Sequence, residues 1–318
     1  MVYCTMSHQT EDNMKAVLLD VNTINPGDLS WDKLTDMCDS FTFYNRTSPD
    51  LVVERIADSD LLFTSKVQIT RSVMEQVPNL KYIGITATGH NNVDLKAASD
   101  LGIAVTNVPA YATDAVAQHT IALILELTNQ VGLHNESVQS GEWENSIDFC
   151  YWKKPISLLA GKSIGIIGYG QIGRKVAQIA EAFGMTVNVY SKGRQAAATS
   201  DYVSLHCPLT KENRHMINAE FLSEMKPGSV LINTARGGLV DEAALAEALK
   251  SGHLAGAGLD VLENEPPLAD CPLIGIENCI ITPHNAWAPK EMREMVIDVL
   301  AENLASWIDG GTLNRIDL

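Results

Sequence analysis

The chain alternates short apolar segments with longer stretches whose apolar positions recur at helical spacing. In its first third the apolar segments are residues 16–20, 61–64, 82–86 and 104–107, and the helical stretches include 70–76 and 94–101. Strands and helices that alternate along a chain are typical of a parallel sheet, because each crossover helix returns the chain to the edge where the previous strand began. This third of the chain is therefore predicted to be a parallel sheet covered by helices.

A second series of the same kind follows a break at Pro109. It opens with a long apolar helix, predicted over 113–130 with Thr113 as its N-cap. The predicted strands that follow are 163–167, 185–190, 202–206, 230–233, 256–259 and 279–282, and the predicted helices are 174–184, 219–225, 242–251 and 290–308. The pattern indicates an α/β protein with two sets of βα units.

The turn after strand 163–167 is rich in glycine. It reads Gly168-Tyr169-Gly170-Gln171-Ile172-Gly173 and leads directly into a helix. In a dinucleotide-binding turn the first glycine makes the tight bend, the second lets the backbone approach a pyrophosphate, and the third lets the helix pack on the strand. The amides of the helix then face the phosphates. Because the motif stands between a strand and a helix, it predicts dinucleotide binding.

Composition and charge exclude several classes of protein. A chain of 318 residues with 46% hydrophobic content can form about two domains. The net charge of −16 would repel a polyanion, so no nucleic-acid partner is expected. The apolar stretch 121–127 is too short for a membrane span, so no membrane partner is expected either.

The cysteines and the N-terminus bear on location. The six cysteines lack the close pairs of a zinc site, and no secretory leader justifies a disulfide framework, which favours reduced thiols in a cytoplasmic protein without a metal. The polar residues 1–13 are predicted to be a disordered extension or a misassigned start.

Three polar residues follow apolar strands in the second half of the chain: Arg236, Glu265 and His284. Ligands of open α/β sheets bind beyond the carboxyl ends of the strands, so all three are expected to face one crevice. A guanidinium holds a carboxylate through two parallel hydrogen bonds, and a histidine beside a carboxylate can exchange a proton with an oxygen. Taken singly, each would also suit a solvated surface position; together they suit hydride transfer to a 2-oxo acid.

From about Met14 onwards the chain resembles the D-2-hydroxyacid dehydrogenase family. The segments 148–173 and 283–287 resemble its glycerate dehydrogenase, or hydroxypyruvate reductase, branch. Further matches are Ala87-Thr88-Gly89-His90-Asn91-Asn92-Val93-Asp94, Ser204-Leu205-His206-Cys207-Pro208-Leu209-Thr210 and Gly258-Leu259-Asp260-Val261. Several separated motifs in the same order are more specific than any one of them.

The resemblance implies two doubly wound domains with a cleft between them. A flavodoxin-like substrate domain is expected over 14–108 and 285–318, and a Rossmann domain that binds NAD or NADP over 109–284. The implied catalytic residues are Arg236, which anchors the substrate carboxylate, His284 as the general acid/base, and Glu265 as its partner. Backbone amides at Thr88 and Gly89 would also bind the carboxylate.

The same resemblance implies the cofactor contacts. Asp260 would hold the nicotinamide carboxamide, and the backbone of His206, Cys207, Pro208, Thr234 and Ala235 would line the cofactor, together with the fingerprint residues Gly168, Gly170, Gln171, Ile172 and Gly173. A strand-end cap is the alternative for Asp260, and a plain tight turn is the alternative at Thr88. The implied reaction is reduction of hydroxypyruvate or glyoxylate to D-glycerate or glycolate.

The adenosine end of the site departs from the usual pattern. NAD enzymes usually place a carboxylate after the second strand, where it bonds the ribose 2′-hydroxyl. Here Ser191, Lys192 and Arg194 stand after that strand, which predicts use of NADPH at least as well as NADH, unless these residues form a solvated turn. Only about eleven residues separate this strand from the next, fewer than the dozen that a parallel crossover needs. Either the usual intermediate βα element is missing or part of the chain is absent.

Two other activities and the assembly state complete the predictions. A phosphoglycerate or other D-2-hydroxyacid dehydrogenase is the alternative enzyme, and a nucleotide-sensing corepressor is the alternative of another class. The aromatic stretch 143–152 stands where the family has its dimerisation arm, so a homodimer is expected.

Overall fold

The computed structural model describes residues 14–190 and 198–318. The chain forms two compact units. The first unit is the chain up to Tyr111 together with Ala288–Leu318, and the second unit is Ala112–Trp287. The second unit is therefore inserted into the sequence of the first. The extension predicted over residues 1–13 lies outside the described residues.

The first unit contains a five-stranded parallel sheet. Its strands are β1 (Lys15–Leu18), β2 (Ser40–Phe43), β3 (Leu61–Thr64), β4 (Tyr82–Ile85) and β5 (Ala104–Thr106). They lie in the order β2-β1-β3-β4-β5, which is the flavodoxin-like order that the family resemblance implies. Every residue of β3 and β4 is buried, as expected of strands covered on both faces.

Helices cover both faces of this sheet. They are α1 (Asp32–Thr35), α2 (Val52–Ile56), α3 (Arg71–Met74), α4 (Leu95–Leu101) and, from the end of the chain, α10 (Lys290–Ile308). Val296, Leu300 and Leu304 of α10 recur every four residues and lie in one buried cluster with Phe63 and Tyr82. The last helix of the chain therefore completes the core of the first unit.

The second unit contains a six-stranded parallel sheet. Its strands are β6 (Ser163–Ile167), β7 (Thr186–Tyr190), β8 (Tyr202–Leu205), β9 (Val230–Asn233), β10 (Gly256–Leu259) and β11 (Cys279–Ile281). They lie in the order β11-β10-β9-β8-β6-β7. A Rossmann sheet places a further strand outside the second one. In the described part of the chain β7 is instead the edge strand, in keeping with the short connection to β8.

Five helices are described in the second unit. They are α5 (Thr113–Asn129), α6 (Val131–Gln139), α7 (Gln171–Ala182), α8 (Ala219–Glu224) and α9 (Glu242–Lys250). Ile121 and Ile124 of α5 are buried with Val176 of α7 and with Ile164 and Ile166 of β6. None of the helices in either described part of the chain is long and apolar enough to cross a membrane.

The structure corrects one local prediction. The N-cap of α5 is Ala112, and Thr113 is the first helical residue. The compact units end at Tyr111 and Trp287, each three residues beyond the domain boundaries predicted at 108 and 284. Tyr111 packs against the core of the first unit, so it belongs to that unit. The amides of Asn285 and Ala286 donate to Asp260, so these two residues belong to the second unit.

Candidate active site

The glycine fingerprint lies between β6 and α7. Gly168 has φ +96°, and a Cβ built on it would lie 2.5 Å from the carbonyl carbon of His206 and 2.6 Å from the amide nitrogen of Cys207. Only glycine leaves room for that approach and adopts this φ readily. The tight turn therefore brings the segment that begins at His206 against the start of the fingerprint.

The other two glycines perform different tasks. A Cβ on Gly173 would lie 2.2 Å from the carbonyl oxygen of Gly168, so this glycine lets α7 pack directly on the turn. A Cβ on Gly170 would meet nothing within 4 Å. The space beside Gly170 and the first amides of α7, at Gln171, Ile172 and Gly173, which have no partner inside a helix, suit the pyrophosphate of a dinucleotide.

The segment 206–208, which lies beside the fingerprint, carries no charged side chain at neutral pH. Burial lowers the pKa of the His206 imidazole to about 4, and its Nε2 lies 2.9 Å from the Ser204 hydroxyl. Burial also raises the pKa of the Cys207 thiol. With Pro208 next in the chain, these neutral side chains leave the backbone as the main polar surface of the segment. That suits the predicted contact with the cofactor, which stays a prediction.

Arg236 follows β9 in a turn that is held at several points. The Asn233 side chain donates to the Arg236 carbonyl at 2.9 Å and accepts from the Ala235 amide at 3.0 Å. The Thr234 hydroxyl lies 2.9 Å from the hydroxyl of Thr120 on α5. The Arg236 side chain is exposed, and its Nη1 donates to the Ala235 carbonyl at 2.7 Å. A guanidinium has five N–H groups, so donors remain for a ligand.

Gly237 fixes this turn against the segment that carries Glu265. A Cβ on Gly237 would lie 1.9 Å from the carbonyl carbon and oxygen of Leu262. The Leu262 amide in turn donates to Oε1 of Glu265 at 3.1 Å. The backbone contact at Gly237 thereby sets the separation of the arginine turn and the glutamate loop.

Glu265 and His284 form the pair that the sequence predicts. Oε2 of Glu265 lies 2.6 Å from Nδ1 of His284. A carboxylate only accepts, so the Nδ1 proton points at Glu265 and Nε2 is left for proton exchange. The side chain of His284 is 29% exposed, so a small molecule can reach it.

The backbone at His284 is left-handed, with φ +51°. Non-glycine residues rarely adopt this conformation, and they keep it only where their surroundings enforce it. The His284 amide donates to the Asp260 carbonyl at 2.8 Å, and Trp287 Nε1 donates to the His284 carbonyl at 2.8 Å. These bonds anchor the turn on both sides of the imidazole.

Asp260 is the buried centre of this turn. Its carboxylate accepts from the Thr282 hydroxyl at 2.6 Å and from the amides of Asn285 and Ala286 at 3.0 Å each. The residue is 1% exposed. The structure thus gives Asp260 a role in holding the turn, and the predicted contact with a nicotinamide carboxamide stays a prediction.

Neighbouring strands bring these groups together. β9, β10 and β11 are adjacent, and Arg236, Asp260 and His284 follow their respective carboxyl ends. Thr88 follows β4 in the first unit, where its hydroxyl donates to the Val108 carbonyl at 2.6 Å; Gly89 comes next in the chain. Ser191, Lys192 and Arg194 lie outside the described residues.

The sequence prediction overlooked a polar residue near the carboxyl ends of these strands. His119 on α5 has its Nε2 2.9 Å from the Thr282 hydroxyl and 3.5 Å from Oδ1 of Asp260. The available signal was a histidine in a helix about half of whose residues are apolar, which alone would equally suit a packed core residue.

The comparisons with known proteins agree with this geometry. The family model described as D-isomer specific 2-hydroxyacid dehydrogenase, NAD binding domain, matches residues 121–286. A hydroxypyruvate reductase of Blautia hydrogenotrophica is 42% identical over 322 residues, with 96% of this chain and 100% of that protein covered. A glycerate dehydrogenase of Methylorubrum extorquens is 40% identical over 283 residues, with 85% and 89% covered.

A solved structure is similar over nearly the whole chain. It is an NADPH-dependent glyoxylate/hydroxypyruvate reductase of Sinorhizobium meliloti in complex with NADP and malonate, with a TM-score of 0.82 at 28% identity and coverage of 96% of this chain and 97% of that one. The two parallel-sheet α/β units, the fingerprint and the family match lead to one conclusion: the chain belongs to the D-isomer specific 2-hydroxyacid dehydrogenase family, and its second unit carries the NAD-binding domain of that family.

Proposed function

We propose that this protein reduces a small 2-oxo acid, hydroxypyruvate or glyoxylate, to D-glycerate or glycolate with NADH or NADPH. The observation that carries the proposal is the 2.6 Å His284–Glu265 pair at the sheet edge that also presents the exposed guanidinium of Arg236. The relatives named hydroxypyruvate reductase and glycerate dehydrogenase support this choice of substrate.

Arg236, His284 and Glu265 have different roles in the proposed reaction. Arg236 binds the substrate carboxylate through paired N–H groups and so orients the 2-oxo group. His284 donates its Nε2 proton to the carbonyl oxygen of the substrate. Glu265 accepts the hydrogen bond from Nδ1 and stabilises the imidazolium form of His284 before this proton is transferred. The contribution of backbone amides at Thr88 and Gly89 to carboxylate binding stays a prediction from the family resemblance. A nicotinamide cofactor held at the fingerprint between β6 and α7 would supply the hydride for the reduction.

A substrate panel tests the proposal. Hydroxypyruvate, glyoxylate and pyruvate are each mixed with NADH or NADPH, and oxidation of the cofactor is followed. Turnover that is fastest with hydroxypyruvate or glyoxylate is expected. Cofactor binding without turnover of any oxo acid would instead favour the nucleotide-sensing corepressor, and turnover restricted to phosphorylated substrates would favour a phosphoglycerate dehydrogenase.

We further infer that NADPH serves at least as well as NADH. The reason is chemical: Ser191 stands where a carboxylate would repel a 2′-phosphate, and Lys192 and Arg194 add positive charge. The relative from Sinorhizobium meliloti is NADPH-dependent. The ratio of kcat/KM for the two cofactors tests this inference, and a strong preference for NADH would contradict it.

A cytoplasmic location and a homodimer complete the proposal. The five cysteines in the described parts of the chain are free thiols, as suits a reducing compartment. The arm that follows α6 exposes several large apolar side chains, namely Trp143, Ile147, Phe149 and Trp152. Aromatic residues are enriched in the buried centres of interfaces, so we place the contact between subunits on this arm.

A further inference from the structure

We propose that His119 is a positioning residue for the reaction: it donates a hydrogen bond to Thr282 and thereby holds the Asp260-centred turn that presents His284. The inference rests on the proposed function, since it concerns the proton donor of that reaction. It differs from it in assigning a role to a helix residue outside the catalytic trio.

The direction of the hydrogen bonds follows from the donors available. The Thr282 hydroxyl has one proton, and Oδ1 of Asp260, 2.6 Å away, can only accept it. The hydroxyl oxygen of Thr282 therefore acts as the acceptor towards His119. Nε2 of His119, 2.9 Å away, must be the donor. The same N–H lies 3.5 Å from Oδ1 of Asp260, so it also faces the buried negative charge.

Asp260 needs this support because its carboxylate is buried. A buried charge is tolerated only when hydrogen bonds or an opposite charge compensate for the loss of water. Two of its partners are amides of the His284 turn itself, and the third is the Thr282 hydroxyl. His119 reaches the cluster from a different element, and so ties the turn to the rigid helix α5.

The neighbouring residue on α5 strengthens the argument. Thr120 bonds Thr234 at 2.9 Å, in the turn that leads to Arg236. Two consecutive residues of one helix therefore hold two different strand ends, the one before the substrate anchor and the one before the proton donor. His284 has a strained left-handed backbone, so loss of one of these hydrogen bonds is expected to change the conformation of this residue most.

Two substitutions at His119 separate the hydrogen bond from mere packing. His119→Leu removes the donor but fills the space, whereas the amide nitrogen of His119→Gln can occupy the place of Nε2 and donate. The matched control is His253→Leu, because His253 is also half-buried in the second unit and its Nε2 bonds the Leu222 carbonyl at 2.9 Å, away from the site.

For the leucine variant we expect kcat to fall about tenfold, while KM for the oxo acid changes less than about twofold, because a small misplacement of a catalytic group costs rate more than binding. The glutamine variant and the control should keep kcat within about twofold of the unsubstituted protein. An unchanged kcat in the leucine variant, or an equal loss in the glutamine variant, would overturn the inference.

Hydrogen exchange supplies a readout that needs no substrate. In the protein without cofactor, the peptide spanning residues 282–287 should exchange its amides several-fold faster in His119→Leu, because the Asn285 and Ala286 amides lose a firmly held acceptor. His119→Gln and the control should exchange as the unsubstituted protein does. Unchanged exchange in the leucine variant would refute the positioning role, even if the chain proved to act on another substrate. Absence of oxo-acid turnover in the unsubstituted protein, with faster exchange in the variant, would refute only the proposed function.

Discussion

A substitution of Arg236 can separate the effect of its positive charge from the effect of its hydrogen-bond geometry. A lysine keeps the charge but cannot form two parallel hydrogen bonds with a carboxylate. Loss of one such bond to a charged group costs about 1.5–3 kcal/mol, so Arg236→Lys should lower kcat/KM for hydroxypyruvate about 10- to 100-fold. Steady-state kinetics measure the change. Arg214→Lys is the control, since Arg214 pairs with Glu263, and an Arg236 variant as active as this control would remove Arg236 from substrate binding.

We expect Glu265 to affect the rate of reduction rather than substrate binding, because it contacts His284. In Glu265→Gln the imidazole keeps a neighbour but loses the negative charge that stabilises its protonated form. We expect kcat for reduction at neutral pH to fall about 10- to 100-fold, with KM for the oxo acid nearly unchanged because Arg236 is intact. Glu263→Gln, two residues away, should leave kcat unaltered. Equal kinetics for the two variants would argue against a partnership of Glu265 with His284.

The sequence pointed to the candidate catalytic residues, whose roles stay predictions, but not to the residues that hold them in place. Arg236, Glu265 and His284 stand out because each is a polar residue at the end of an apolar strand, a local pattern. The His119–Thr282 and Thr120–Thr234 bonds join residues more than a hundred positions apart. No local pattern contains such contacts, since they depend on how α5 packs on the sheet.

At the scale of elements, the start of β6 depends on a partly exposed ion pair between Asp201 and Lys226. Oδ2 of Asp201 accepts from the amide and the hydroxyl of Ser163 at 2.9 Å each, and Oδ1 accepts from Lys226 at 2.7 Å. Burial alone would raise the pKa of Asp201, but the bonds from Lys226 and Ser163 outweigh it and lower the pKa from 3.8 to about 2.

This shift predicts a pH-dependent contribution to stability. A carboxylate whose folded pKa is lowered stabilises the fold above its unfolded pKa and loses that effect as pH falls through the folded pKa. Because Lys226 is about half exposed and solvent screens the pair, Asp201→Asn should lower the free energy of unfolding of the second unit by about 1 kcal/mol at pH 7, and the deficit should shrink between about pH 4 and 2. Denaturant titrations along this pH range measure it, with Glu247→Gln on α9 as the control. A deficit that does not change with pH would contradict the assignment.

Strands were predicted better than the elements beside them. The buried strands β3, β6, β9 and β10 agree with the prediction residue for residue, because continuous apolar runs mark strands covered on both faces. β2 was overlooked because it is an edge strand whose residues are mostly exposed. α6 was overlooked because Gln130, with φ +50°, separates it from α5, and its residues include poor helix formers such as Gly132.

At the scale of the whole molecule, the exposed arm predicts association. Phe149 is 88% exposed and Trp152 is 67% exposed, which is costly for a monomer in water. Sedimentation at micromolar concentration should give a dimer, and Phe149→Ser should shift it towards monomer. Leu268→Ser, at an apolar residue exposed elsewhere in the second unit, should have no such effect. A monomeric unsubstituted protein would refute the arm as an interface.

The discontinuous first unit has a consequence for synthesis on the ribosome. All of Ala112–Trp287 is translated before α10, so the nucleotide-binding unit can fold while the first unit still lacks its last helix. Until then the sheet residues Leu18, Phe63 and Tyr82 have no Val296, Leu300 or Leu304 to cover them. The nascent chain therefore carries an open apolar face through more than half of its translation, and that interval is when this protein most needs a chaperone.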